Sequence, residues 1–273
     1  MTIRKFTTIY PANKNIDDGD MLLWRALPLF QRKSLGPFVF IDHYQHQSNR
    51  GIGDRPHPHA GIEVISYILQ GSVEHRDSFG FRDKLNAGDA QWICAGRGII
   101  HAEQPLGGRH GLQLWTSLPP SKKMLEPHYR SFHQAEIPLL EKNGAQIRVV
   151  TGTVDNITGP METISHTVMA YVKLPADTTL KLAIDAEELG IYVTKGKLPI
   201  NANYLLGSEG LAILSEGDEI ELHSGNGAVE FAILGGEKAE GPILFDGPFV
   251  MDTQERLIQA YRDYHSGKMG ILE

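Results

Sequence analysis

Two short stretches decide how this chain is interpreted: Pro56–His59, which reads Pro-His-Pro-His, and Ile100–Glu103, which reads Ile-His-Ala-Glu. Each places two metal-capable side chains two positions apart. On an extended strand such side chains share a face, whereas a helix would splay them. Two such strands in one barrel could present three imidazoles and one carboxylate to a single ion. Ordinary surface histidines are the alternative, but the spacing favours a metal site formed by His57, His59, His101 and Glu103.

The residues around both pairs favour strands. Pro56 and Pro58 favour extended conformations in the residues that precede them. Ile62–Leu69 is dense in β-branched and aromatic residues and predicts a strand, which a turn at Gln70–Ser72 closes. Farther along, the predicted elements are a turn at Leu85–Asp89, a short strand at Ala90–Ile93, a glycine-bearing loop at Ala95–Gly98 and a strand at Ile99–Glu103.

The composition is that of an ordinary globular protein. The 273 residues suffice for one large domain or two of ordinary size, and 41% hydrophobic with 22% charged residues indicates neither disorder nor a membrane class. There is no apolar run of about 18 residues and no signal-peptide core near the start, so we expect a cytoplasmic protein. The single cysteine, Cys94, excludes an internal disulfide and agrees with a reducing compartment.

The charge balance argues against direct nucleic-acid binding. Aspartate and glutamate total 33 against 26 lysines and arginines, giving a net charge of −7. No run of five basic residues is present, although phosphate neutralisation needs a basic surface. Any role in transcription is therefore expected to act through another protein.

The two halves of the sequence share a pattern that predicts an internal duplication of a small β-barrel. Tyr67–Gly71 resembles Tyr192–Gly196 at an offset of 125 residues, and Leu85–Asp89 resembles Leu214–Asp218 at an offset of 129. The second half has no His-x-His at the matching place. We expect a metal-binding barrel over residues 1–135 and a barrel without metal ligands over residues 136–273.

Repeated short strands separated by Gly, Pro and Asp turns favour an all-β fold. The clearest helical pattern runs from Asp252 to His265 and predicts a C-terminal packing helix. Asp252 or Thr253 is the candidate N-cap, and Gly267 is the expected stop. The predicted apolar face of this helix consists of Leu257, Ile258, Tyr261 and Tyr264.

Longer motifs resemble the cupin superfamily and, more narrowly, the pirin family. The match runs over most of the chain and is specific because it combines Gly36–His43, His57–Glu63, Glu74–Ser78, Ala95–Glu103, Gly111–Trp115 and Gly247–Met251. The chain departs from the general cupin pattern in three respects. The closing Gly71 of the first motif comes one residue late, Cys94 stands where a proline is usual, and the closing asparagine of the second motif is absent.

The resemblance implies a bicupin: two tandem antiparallel β-barrels of jelly-roll type, with one non-haem ion in the N-terminal barrel. That ion is often iron(II), although Mn, Co, Ni, Cu or Zn also suits mixed N/O ligands. Many cupins take their carboxylate ligand from the position of Glu63, whereas pirins use the His-x-Glu of the second motif. The resemblance thus implies the ligands His57, His59, His101 and Glu103, with Glu63 as a neighbour or substitute.

Pirin-type proteins are associated with quercetin 2,3-dioxygenase activity. The resemblance implies a flavonol that coordinates through its hydroxyl, Glu103 acting as both ligand and general base, and dioxygen cleaving the ring with release of carbon monoxide. The alternative is a redox-sensing metal-binding regulator that binds a transcription factor or a metabolic enzyme such as pyruvate dehydrogenase. A wholly structural bicupin is the least favoured interpretation. Because two barrels already pair within one chain, a monomer is compatible with this fold.

Several other side chains have two interpretations. We expect His43 and His46 to be surface histidines rather than lining of the site mouth, and His75 to tether loops rather than orient a ligand. Core packing is the expected role of Trp115. Cys94 is expected to be a buried small hydrophobe rather than a redox-sensitive neighbour of the site.

Overall fold

The computed structural model describes residues 1–272; Glu273, the last residue of the predicted second domain, lies outside the described residues. In the first half the strands are β1 (Phe6–Pro11), β2 (Asn13–Asp17), β3 (Met21–Leu27), β4 (Phe38–His46), β5 (His57–His59), β6 (Ile62–Asp77), β7 (Arg82–Asn86), β8 (Ala90–Cys94), β9 (Ile99–Ser117) and β10 (His128–Phe132). A single 3₁₀ turn, Pro120–Lys122, lies between β9 and β10.

The second half continues with β11 (Leu139–Lys142), β12 (Ala145–Thr151), β13 (Thr153–Val154), β14 (Ile157–Thr158), β15 (Thr167–Leu174), β16 (Thr179–Ala183), β17 (Glu188–Lys195), β18 (Lys197–Asn201), β19 (Tyr204–Gly207), β20 (Gly210–Leu214), β21 (Glu219–His223), β22 (Val229–Gly236), β23 (Leu244–Asp246) and β24 (Phe249–Met251). The helix α1 (Gln254–His265) follows. The predicted all-β class, with antiparallel sheets and a C-terminal helix, is confirmed. No helix of the described chain is long and apolar enough to cross a membrane.

The chain forms two compact units, each assembled from separate segments. The first contains Met1–Asn13, Ala26–Phe38 and Ala135–Lys238, and the second contains Lys14–Arg25, Val39–Gln134 and the chain from Ala239 onward. Residues 1–13 thus belong to the same unit as residues 135–238, and the chain from Ala239 onward belongs to the same unit as residues 39–134. A linear division at residue 135 would place each of these two end segments in the other unit. The reason is strand pairing and packing: β1 pairs with β20, and the C-terminal segment packs on Ala60 and Ile100 through Phe249 and Leu257.

The main sheets of the two units have the same order over six strands and differ in one edge strand, which precedes the other six in sequence in the first unit and follows them in the second. In the first unit the order is β1-β20-β17-β22-β15-β12-β11, and in the second it is β10-β8-β6-β9-β4-β3-β2. Two further strands join the second sheet, since β5 pairs with β9 and β7 pairs with β6. This correspondence supports the predicted duplication, with Tyr67 and Tyr192 on the matching strands β6 and β17.

The second sequence pair used to detect the repeat is out of register. Asp89 immediately precedes β8, whereas Asp218 follows β20, the strand that corresponds to β8, and leads into β21. Turns of the type Gly-Asp recur wherever a hairpin needs them, so the resemblance of these two turns does not identify equivalent positions.

The expected turn at Gln70–Ser72 is wrong, because β6 continues through it. Two irregularities interrupt the pairing of β6 with β9, between Ile68 and Gln70 and between Gly71 and Val73. Gly71 has φ of 78°, and a Cβ there would lie 2.2 Å from the carbonyl oxygen of Gly108. This glycine permits a bulge with close backbone approach rather than a chain reversal. The other predicted strands near the site, at Ala90 and Ile99, are confirmed.

The C-terminal helix begins and ends as the sequence predicts, but its apolar face differs by one position. The Thr253 hydroxyl accepts a hydrogen bond from the Arg256 backbone N–H at 3.2 Å, and Gly267 adopts a left-handed φ of 75° after the last turn. Leu257 and Ala260 are buried, whereas Ile258 is 45% exposed and does not belong to the packing face.

Each unit has its own apolar core. In the first unit a continuous cluster of buried residues extends through β12, β15, β17, β20 and β22 and includes Ile147, Val172, Ile191 and Phe231. In the second unit one cluster includes Ile62, Val64, Ile93 and Trp115, and another joins Ala60 and Ile100 to Phe249 and Leu257. The strands that carry the two predicted metal-binding pairs lie in this second unit.

Candidate metal centre

Strand pairing brings the two sequence pairs together. β5 and β9 are antiparallel, with His57 opposite His101 and His59 opposite Ile99. On its other side β9 pairs with β6, which places Glu103 opposite His75 and His101 opposite Asp77. Directly opposed residues share a face of a sheet. Both pairs are therefore extended, as predicted, and their side chains meet on the interior face of the second unit.

Three histidines form a compact group. The ring centroids of His57 and His101 are 4.3 Å apart, those of His57 and His59 are 4.9 Å apart, and those of His59 and His101 are 5.0 Å apart. Each ring offers a nitrogen within 4.8 Å of the other two, which is a spacing that one ion can bridge. His59 and His101 are buried, and His57 is half-buried at the edge of the group.

Hydrogen bonding leaves nitrogens of these rings available to a metal. The Nδ1 atom of His57 lies 2.9 Å from the Arg55 carbonyl oxygen, and that of His59 lies 3.2 Å from the Pro248 carbonyl oxygen. A ring that donates from Nδ1 presents a lone pair at Nε2. Within the described chain, His59 Nε2 and both nitrogens of His101 are buried without a hydrogen-bond partner. Such orphaned nitrogens are expected where a cation belongs.

The electrostatics favour neutral imidazoles. Burial, reinforced by the neighbouring His57, lowers the pKa of His59 to about 3. Burial also places the pKa of His101 well below its ordinary value, and His57, His59, His75 and Arg109 reinforce that effect. Metal ligands must be deprotonated, so these rings need not lose a proton before they bind an ion at neutral pH. The histidine group therefore fits a divalent metal ion.

Glu103 is buried beside this group, but other residues already engage it. It falls into a second metal-capable group with His75 and His101 rather than into the group of three histidines. The Glu103 Oε1 atom lies 3.8 Å from His101 Nδ1 and accepts a hydrogen bond from the Gln91 amide at 2.6 Å. The Oε2 atom accepts a hydrogen bond from Arg109 Nη1 at 2.6 Å. Burial alone would raise the pKa of Glu103, but Arg109, together with His75 and His57, outweighs this effect and holds the pKa below its usual value.

Arg109 is the residue of the site that sequence reasoning missed. It is buried, its Nη2 donates to the Ile52 carbonyl oxygen at 2.8 Å, and its guanidinium lies 4.6 Å from the centre of the Tyr44 ring. Arg109 stands an even number of positions after Glu103, which on one strand means the same face. Pro105 and the glycines before Arg109 concealed that signal, because they argue against a strand that in fact extends through them.

Glu63 and His75 are both buried on β6 but have different surroundings. The Glu63 carboxylate accepts hydrogen bonds from Trp92 Nε1 at 2.9 Å and from Thr116 Oγ1 at 2.8 Å, and it belongs to neither metal-capable group of the described chain. The ring of His75 lies 3.1 Å from an Asp77 carboxylate oxygen and stacks on Tyr129 at 4.1 Å. His75 thus combines a structural contact with a position beside the candidate ligands.

The prediction that His43 and His46 are surface histidines is wrong. Both lie on β4 and are buried. The Nε2 atoms of His43 and His110 are 2.6 Å apart, and Arg109 Nε lies 3.3 Å from His46 Nδ1. Burial lowers the pKa of His43 to about 3 and that of His46 to about 4.

Cys94 and Trp115 conform to the sequence-based expectation. Cys94 is buried on β8, and its burial, together with the charge of Glu63, raises the pKa of the thiol to about 12. A thiol with so high a pKa has little thiolate character at neutral pH. Trp115 is buried in the core cluster of the second unit and contacts the ring of His59 edge-on at 4.8 Å.

A cavity of about 450 Å³ opens beside the histidine group, and both His57 and His59 line it. Its aromatic wall consists of Phe40 stacked on Trp115 with ring centroids 4.0 Å apart. The Arg25 guanidinium lies 4.2 Å from the centre of the Phe40 ring and forms two hydrogen bonds of 2.8 Å with Asp42. Burial raises the pKa of Asp42 to about 6, although its contacts with Arg25 oppose that shift.

The strand order and the histidine-rich interior define a protein of the cupin class with two cupin-type domains. Residues 23–116 match the family model described as Pirin, and residues 169–270 match the model described as Pirin C-terminal cupin domain. The chain belongs to the pirin family.

Relatives and solved structures agree with this assignment. The pirin of Homo sapiens is 35% identical over 90% of this chain and 87% of its own length. A crystal structure of quercetin 2,3-dioxygenase from Acinetobacter baumannii superimposes with a TM-score of 0.89 at 29% identity and covers 100% of both chains. A bacterial pirin from Escherichia coli, solved in complex with nickel(II), has a TM-score of 0.66 at 23% identity over 85% of this chain and all of its own.

Proposed function

We propose that this protein is a metal-dependent dioxygenase that cleaves a flavonol of the quercetin type, with His57, His59, His101 and Glu103 as ligands of one divalent ion. The observation that carries the proposal is a cavity with an aromatic wall that opens directly onto two of the candidate ligands, His57 and His59. The similarity to a quercetin 2,3-dioxygenase over the whole chain supports the same reaction class. Iron(II) is the ion we favour.

When bound, such an ion supplies Lewis acidity toward a substrate hydroxyl and the redox capacity that a reaction with dioxygen requires. The chain itself supplies binding and orientation. Phe40 and Trp115 present a stacked apolar wall of a kind that holds a flat aromatic ring. Beside that wall, Arg25 and Asp42 offer a charged donor and a carboxylate acceptor to the polar groups of the ligand.

Proton transfer is assigned to Glu103. Its pKa is held low, so the carboxylate is ionised at neutral pH and can accept the proton of a substrate hydroxyl. Burial of His101 and Glu103 restricts solvent at the inner side of the site, while the half-buried His57 faces the cavity. Exclusion of water strengthens the electrostatic interactions of these groups.

The test is turnover of quercetin by protein reconstituted separately with Fe(II), Mn(II), Co(II), Ni(II), Cu(II) or Zn(II), followed by flavonol absorbance and carbon monoxide release. Bleaching with stoichiometric carbon monoxide is expected with at least one ion and is expected to disappear in Glu103→Gln. The absence of carbon monoxide with every fully loaded ion would contradict the proposal. The regulatory alternative would then take precedence, and partner binding would be compared between the Fe(II) and Fe(III) forms.

A further inference from the structure

Both oxygens of the Glu103 carboxylate are engaged by donors from the chain. Arg109 Nη1 and the Gln91 amide each approach one oxygen to 2.6 Å. Glu103 and Arg109 are both fully buried, so this ion pair is shielded from solvent and from salt. Hydrogen bonds that involve ionised partners are among the strongest that a side chain can make. A carboxylate held in this way is not free to bind a cation without rearrangement or sharing.

Arg109 is itself fixed by contacts on several sides. Its remaining nitrogens reach the Ile52 carbonyl oxygen at 2.8 Å and His46 Nδ1 at 3.3 Å, and its guanidinium lies over the Tyr44 ring. These contacts leave the guanidinium little freedom to follow Glu103 if the carboxylate turns toward an ion. The charge balance also changes, because the positive Arg109 cancels the single negative charge that Glu103 contributes to the site.

We propose that Arg109 is a positioning residue that competes with the metal ion for the Glu103 carboxylate. This inference rests on the ligand set proposed above. Arg109 holds the Glu103 carboxylate in place before the ion arrives, and it weakens the hold of Glu103 on the ion afterwards.

The experiment measures the affinity of the purified full-length protein for Ni(II) by calorimetry, in a double-mutant cycle of Arg109→Met and Glu103→Gln. Arg109→Met is expected to raise the affinity at least about tenfold more in the wild-type background than in the Glu103→Gln background, because only the wild type has a carboxylate to compete for. Arg82→Met is the matched control. Arg82 is an exposed arginine of β7 in the same unit, and its loss is expected to leave the affinity within about twofold.

Three results would overturn the inference: no gain on Arg109→Met, a loss of affinity in folded protein, or the same gain in both backgrounds. The last would show simple charge repulsion between Arg109 and the ion. If Arg109→Met alone does not fold, Arg109→Gln removes the charge but keeps an amide donor, so a smaller gain than with Arg109→Met is expected, again confined to the wild-type background. Failure of the ligand set is distinguishable, because His101→Ala would then bind Ni(II) as the wild type does. Both tests measure Ni(II) affinity and do not depend on whether the protein turns over quercetin.

Discussion

The main sheets of the two units share the order of six strands, but their interiors differ in polarity. Around β17 in the first unit the interior is apolar, with Ile191 and Val193 packed in a continuous core. Around β6 in the second unit, Ser66 and His75 are buried at comparable depth, Ser66 in contact with Gln91 and His75 with Asp77. One strand arrangement therefore supports either a closed apolar core or a buried polar centre, and the choice depends on the alternate side chains of a few strands.

The largest expected effect tests the prediction that the second unit binds one metal ion and the first binds none. His101→Ala removes a ligand from the buried histidine group, so we expect Ni(II) affinity to fall by more than about 100-fold, beyond what loss of an outer partner causes. His223→Ala, on β21 of the first unit, is the matched control and should keep a stoichiometry of one. Metal content after dialysis measures both. An ion that remains bound in His101→Ala but is lost in His223→Ala would show that the site lies in the first unit, contrary to the prediction.

A second prediction tests the apolar unit. Ile191 and Ser66 occupy corresponding positions, each one residue before the matching tyrosines Tyr192 and Tyr67. Ile191→Ala should reduce the free energy of unfolding by about 3 kcal/mol, because it opens a cavity in a close-packed core. Ser66→Ala removes the hydrogen bond that the Ser66 hydroxyl accepts from the Gln91 amide and should cost about 1 kcal/mol. Urea unfolding measures both, and an equal cost at the two positions would show that the interiors do not differ as described.

The third prediction concerns the loss of folding stability at acid pH. His43 on β4 of the second unit should contribute to this loss, whereas the corresponding strand β15 of the first unit should not. Burial lowers the pKa of His43 from its ordinary value of 6.5 to about 3. Below pH 6.5, His43 therefore binds a proton in the unfolded chain but not in the folded chain. Stability contributed here is therefore lost as pH falls from about 6.5 toward 3. Between pH 6.5 and 5 the loss from His43 should be about 2 kcal/mol.

His43→Gln should remove that part of the pH dependence, as measured by urea unfolding at the two pH values. Its neighbours are His110, at 2.6 Å, and Trp24, whose ring centroid lies 5.2 Å from that of His43. His265→Gln, at the exposed end of α1, is the control and should keep the wild-type slope. The same slope in His43→Gln as in the wild type would mean that His43 is not the residue responsible.

The smallest expected effect concerns Arg25 of β3, which lines the cavity of the second unit. Arg25→Lys keeps the charge but loses the planar fork that binds Asp42 and covers Phe40. The loss of about 0.5–1 kcal/mol should raise the KM for quercetin about three- to fivefold with little change in kcat. Arg148→Lys, on the corresponding strand β12, is the control. A change confined to kcat would show that Arg25 does not bind the substrate.

The sequence alone was sufficient where chemistry and periodicity coincide. His57 and His59, and likewise His101 and Glu103, are separated by two positions within short segments bounded by proline or glycine. Extended geometry therefore predicted their shared face without knowledge of the fold. The Thr253 cap was predictable for the same reason, because capping depends on a few neighbouring residues. The all-β class followed from the density of short strands and turns.

The features that could not be predicted from the sequence depend on how far each strand continues and on which distant segments pair. Gly71 was interpreted as a turn because glycine serves turns and bulges equally, and only the opposing carbonyl of Gly108 decides between them. His43 and His46 were placed on the surface because polar residues usually are. Arg109 was overlooked because its role depends on contacts with Ile52 and Tyr44, which are distant in sequence.

The exchange of chain ends between the units affects how the protein is made. β1 leaves the ribosome about two hundred residues before its partner β20. Likewise, the Pro248 carbonyl oxygen beside His59 emerges long after that histidine. The first unit cannot be complete until the chain up to Lys238 has been synthesised, and the second also needs the chain from Ala239 onward. Such distant pairings form slowly. A gene cut at residue 135 should therefore yield two fragments that each lack a segment of their own sheet or core.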